Sequence, residues 1–85
     1  SILRKETFVD QIISQNISLF RDKERLSYCE ISNWIIKRYR VYIPPAQIKS
    51  YEEGAVICAK DLFYISLALK TPIQELYEES PVFEL

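Results

Sequence analysis

The run Lys37-Arg38-Tyr39-Arg40-Val41-Tyr42 interleaves three cationic side chains with aromatic rings. Such a run suits phosphate: Arg and Lys reach the oxygens while the rings brace the chain. The same residues also suit the solvated end of a helix, where basic side chains complement the dipole. Directly after the run, Pro44-Pro45 stops one element and starts another, because proline is pre-set for a helix's first turn and disfavours helix just before it. Ala46 to Glu53 continues as a short helix, and Gly54 suits the position just past its end. Ahead of the run, Ser27 and Glu30 have the spacing of a capping box, and Ile31, Trp34 and Ile35 share one helix face. Helix, turn, short helix and glycine in that order form a helix-turn-helix signature.

Other chemistries are excluded by residue type. The chain has no His, so it offers no Ser-His or Cys-His pair and no His-bearing zinc site. Its single glycine rules out a glycine-rich phosphate loop. Glu52-Glu53 and Glu78-Glu79 are adjacent in sequence and diverge on a helix, which reads as solvated surface. No catalytic residue, metal site, cofactor or small-molecule substrate is expected, and the chain is not read as an enzyme. Cys29 and Cys58 are expected to be buried, reduced thiols.

With 85 residues and 48% hydrophobic content, one small core and a single domain are expected, with the core over about 7–79 and a tail at 80–85. No apolar run approaches the roughly 18 residues that a membrane span requires. The net charge of −1 divides unevenly. Residues 1–50 carry nine Lys/Arg against five Asp/Glu, a net of +4, and residues 51–85 carry two against seven, a net of −5. Such asymmetry can orient a protein on a polyanion even when the total is near zero.

The elements that position these residues read as five helices. Thr7 is a candidate N-cap for a first helix to about Lys23 or Glu24, with Phe8, Ile12, Ile13, Ile17 and Phe20 inward and residues 1–5 an arm before it. The second follows Ser27, with Leu26 as a hydrophobic staple, and Lys37 to Arg40 either prolong it or belong to the turn. The third spans Pro45 to about Glu53, with Ile48 and Tyr51 inward. The fourth spans about Ala59 to Leu69 and buries Cys58, Leu62, Ile65 and Leu69. Thr71-Pro72-Ile73-Gln74 reads as a second capping box, opening a fifth helix that buries Ile73 and either Leu76 or Tyr77. Val82, Phe83 and Leu85 give the tail an apolar character.

Three stretches in order carry a family resemblance. Residues 17–27, Ile48-Lys49-Ser50-Tyr51-Glu52-Glu53-Gly54, and Leu62–Leu69 with Thr71–Tyr77 resemble lambda-repressor-like (Cro/repressor, Xre-type) DNA-binding domains over about residues 8–77. The chain departs from that pattern between Ser32 and Pro45, where it is longer. In this it resembles POU-specific domains.

The resemblance implies an all-α, five-helix domain that binds double-stranded DNA as a transcriptional regulator in the cytoplasm of a bacterium or for a phage. The third helix, about 45–53, would lie in the major groove. Pro45, Ala46, Gln47, Lys49 and Ser50 would face base edges. Gln47 suits adenine, Lys49 guanine or phosphate, and Ala46 a thymine methyl. Ser27 and Tyr28 would contact phosphate at the start of the second helix, with Lys37, Arg38 and Arg40 as a further positive edge. Arg21 and Glu52 occupy positions whose side chains meet between the first and third helices. A homodimer through the apolar tail is a further expectation. The competing reading is a protein-interaction module on the same fold, without DNA affinity, that uses a Tyr-rich face.

Overall fold

A computed structural model describes the backbone of residues 2–78 and the side chains of residues 9–78. This part of the chain forms α1 (Ile2–Glu24), α2 (Tyr28–Tyr39), α3 (Pro45–Glu52), α4 (Ala59–Ala68) and a 3₁₀ helix (Ile73–Tyr77), with no strand among the described residues. The all-helical class is as expected, but four α-helices and a 3₁₀ segment replace the expected five helices. No helix among the described residues is long and apolar enough to cross a membrane.

The first helix starts at Ile2, so Thr7 lies inside it and is not its N-cap. Ile2-Leu3-Arg4-Lys5-Glu6 is rich in good helix formers and contains no Gly or Pro to stop propagation. Ile12, Ile13 and Ile17 form the buried stripe, with Phe20 partly buried against the core. The expected inward placement of Phe8, and the tail Val82, Phe83 and Leu85, lie outside the described side chains.

The capping box at α2 is present: Glu30 N–H donates to Ser27 Oγ at 3.0 Å, and Ser27 N–H to Glu30 Oε1 at 2.8 Å. Ile31 and Ile35 are fully buried, whereas Trp34 is only half-buried. The surplus residues divide. Lys37, Arg38 and Tyr39 lengthen α2, and Arg40, at φ 59, closes it by donating its N–H to the Ile36 carbonyl. Ser32 Oγ then donates to Ile43 O at 2.7 Å, fixing the connection onto α2 with Ile43 buried.

Pro44 and Pro45 open α3 as expected, and Ile48 and Tyr51 point inward. Gly54, at φ 108, turns the chain out of α3, with Ala55 N–H donating to Ser50 O at 3.0 Å. Cys58 is the N-cap residue of α4 and is exposed, as is Cys29. Neither thiol is buried as expected, because Cys58 precedes the α4 stripe and Cys29 falls on the outer side of α2, next to Glu30.

The expected Thr71 capping box does not form. Pro72 holds the N-cap position without a side-chain hydrogen bond, and Thr71 Oγ1 donates to Leu69 O. Downstream, Asn16 Nδ2 donates to the carbonyls of Glu75, Leu76 and Glu78 at 3.3, 3.0 and 2.7 Å. A side chain from α1 thus meets carbonyls that a continuing helix would pair with its own N–H groups, and the segment stays a single 3₁₀ stretch with Leu76 buried and Tyr77 exposed. The core joins all five elements: α3 packs on α1 and α2, α4 on α2, and the 3₁₀ helix on α1 and α4.

Candidate functional site

On α3, Ala46, Gln47 and Lys49 are exposed and Pro45 and Ser50 half-buried. Ala46 and Lys49 face away from Ile48 and Tyr51, while Gln47 lies one turn before Tyr51 on its side of the helix. Ser50 Oγ donates to Gln47 O at 2.7 Å, so its hydroxyl is used within the helix. Pro45 has no N–H, and the N–H groups of Gln47 and Ile48 both return to Pro44 O. Two of the first N–H groups of α3 are therefore used locally, and no side chain caps the helix start.

Three interactions hold this helix in place. Arg21 Nε donates to Glu52 Oε2 at 2.5 Å and Nη2 to Oε1 at 3.3 Å, while Nη1 reaches Leu26 O at 2.9 Å. Tyr28 Oη completes the cluster by donating to Glu52 Oε1 at 3.0 Å, and the guanidinium lies 4.5 Å from the Tyr28 ring centroid. The Glu52 hydrogen bond raises the Arg21 pKa further, and burial raises that of Tyr28. Ser14 Oγ donates to Tyr51 O at 2.7 Å. Tyr51 Oη donates to Asp61 Oδ2 at 2.5 Å, tying α3 to the first turn of α4. Burial, then this bond to Asp61, pushes the Tyr51 phenol up to about 12, with the Gln47 amide acting in the opposite direction.

The expected phosphate-contacting residues do not form one cluster. Ser27 is exposed but committed to its capping box, and Tyr28 is committed to Glu52. Lys37 and Arg38 follow Trp34 by three and four positions and share its side of α2. The Arg38 guanidinium sits 4.7 Å from the Trp34 ring centroid, and Lys37 lines an open groove with Glu30, Trp34, Ala68 and Lys70. Arg40 sits apart from them at the start of the connection to α3.

No family model, curated protein or solved structure matches this chain.

One grouping was not anticipated. Trp34, Tyr39, Tyr64 and Phe63 form a ladder between α2 and α4, with successive ring centroids 5.8, 5.3 and 5.3 Å apart. The adjacent Phe63-Tyr64 pair was the available signal; its pairing with Tyr39 depends on how α4 crosses α2.

Proposed function

We propose that this chain is a helix-turn-helix domain that binds double-stranded DNA as a transcriptional regulator, with α3 entering the major groove. The supporting observation is the anchoring of α3. Its inner face is buried, its C-terminal end is held by Arg21 and Tyr28 through Glu52, and Ala46, Gln47 and Lys49 are left exposed. An α-helix with its side chains is about 10–12 Å across, which the roughly 12 Å major groove admits. In this reading Gln47 and Lys49 address base edges, Ala46 a thymine methyl, and Arg40 the backbone beside them.

Fluorescence anisotropy with a labelled random duplex, at low and then moderate salt, tests the proposal. Binding should be strong at low salt and fall steeply as salt rises. Lys49→Ala should weaken it without loss of fold. Absence of binding at low salt would rule out the DNA reading.

A further inference from the structure

Among the exposed side chains of α3, Gln47 alone can both donate to and accept from a base edge. Ala46 is apolar and Lys49 only donates, while the half-buried Ser50 turns its hydroxyl to Gln47 O. The two ends of the Gln47 amide have opposite characters. Its oxygen accepts and its nitrogen donates, so the end that faces outward decides which base this helix can read.

Tyr51 follows Gln47 by four positions, on the same side of α3. A helical side chain leans towards the helix N-terminus, over the turn before it, which carries the Tyr51 ring towards Gln47. The Tyr51 hydroxyl has a single hydrogen, and it is given to Asp61 Oδ2 at 2.5 Å. The phenol oxygen then has only lone pairs to offer Gln47, and of the two amide ends only the nitrogen can meet them. The electrostatics agree. Burial and Asp61 push the phenol pKa up, whereas the Gln47 amide draws it down. An N–H does this by favouring the phenolate, and a carbonyl oxygen does not. Tyr51 is itself fixed: it is buried, and its own carbonyl accepts Ser14 Oγ from α1.

We infer that Tyr51 and Asp61 are positioning residues for base reading: they hold the Gln47 amide nitrogen inward and its oxygen outward, so that α3 selects adenine. An amide nitrogen has two hydrogens. With one on the phenol, the other remains beside Oε1, and together they form the donor–acceptor edge that matches adenine N7 and N6–H. This inference rests on the DNA reading of α3 and adds that base choice is set from the first turn of α4.

The test selects a duplex library with a randomised window on the full chain, then reads the affinity for each single-base change in the selected site by fluorescence anisotropy. The parent should show a position, erased by Gln47→Ala, where adenine is preferred to guanine about tenfold. Tyr51→Phe removes the fixed lone pair and should abolish most of that preference, leaving the other positions and the salt slope unchanged. Asp61→Ala keeps the hydroxyl but frees its hydrogen, which then turns to Gln47 Oε1, and the preference should move towards guanine. Thermal melts confirm that each variant is folded. No binding to any duplex ends the DNA reading and this inference together. A selected site without a Gln47-dependent adenine, or one whose adenine preference survives both substitutions, overturns this inference and leaves the DNA reading standing. So does an equal loss at every position, which would make the Tyr51–Asp61 bond a support for α3 only.

Discussion

Tyr51, at the buried end of α3, donates its phenolic hydrogen to Asp61 in the first turn of α4, bridging the turn at Gly54. The phenol is pushed from 10.0 up to about 12, so the folded state favours the protonated form. A raised folded pKa contributes stability that is complete below pH 10 and is lost as pH rises towards 12. Tyr51→Phe should therefore lower stability by about 1 kcal/mol at pH 8, and the gap from the parent should close between pH 10 and 12. Urea midpoints across that range check this. A gap that stays constant with pH would show that the phenol's titration is not linked to folding.

Removing one partner from the Arg21–Glu52 pair should be costly, because the Glu52 side chain is only 7% exposed. Arg21→Ala leaves that carboxylate with Tyr28 alone and also frees the Leu26 carbonyl. A loss of about 3 kcal/mol is expected. Replacing both residues with apolar ones, Arg21→Met with Glu52→Leu, should recover much of it. Equal loss in the single and double variants would contradict this account.

Arg25, Arg40 and Lys70 each take a left-handed backbone conformation at a helix end, with φ between 56 and 59. That conformation costs a residue with a Cβ about 1 kcal/mol or more, partly offset here by a basic side chain near the helix's negative pole, worth roughly 0.3–1 kcal/mol. Arg25→Gly should thus stabilise by about 0.5 kcal/mol. Gly54→Ala should act oppositely, destabilising by about 1 kcal/mol through backbone strain alone, since an added Cβ meets nothing within 4 Å. Thermal melts of the two variants should shift in opposite directions.

Lys37, Arg38 and Arg40, expected as phosphate contacts, have a separate consequence under the DNA reading. Replacing all three with Ala should weaken binding similarly on specific and random duplex. The salt slope should become shallower by roughly one unit for each phosphate contact removed. A folded triple variant with an unchanged slope would show that these side chains do not touch the backbone. Arg40→Ala alone then tests the residue nearest α3 without disturbing the Arg38–Trp34 stack.

Legibility in the sequence followed the range of the interactions. The Ser27–Glu30 box could be read because both hydrogen bonds close within three residues, and Ile31, Ile48, Leu62 and Ile65 could be read from helical spacing. The same local logic failed at Thr71, where the competing partner, Asn16, comes from α1. Ile43 joined the core from outside any helix, and polar residues such as Ser14, Asn16 and Ser32 became buried because each found a distant backbone carbonyl. Within the candidate site, the residues of α3 were visible as a short segment between prolines and glycine. The division of the basic run was not, because the extra residues lengthen α2 and its rotation carries Lys37 and Arg38 round to the α4 side.

Asn16 joins residues 59 to 62 positions apart, and this sets when the domain can become stable during synthesis. The first helix is made before the carbonyls that satisfy its buried amide, which emerge only after α4 has been made. Until then the chain holds an unpartnered amide on the same helix as Ile13 and Ile17, whose neighbours in the 3₁₀ helix do not yet exist. Nascent chains therefore leave α1's apolar stripe without its partner until the 3₁₀ helix has been made, and folding of this domain waits for that segment.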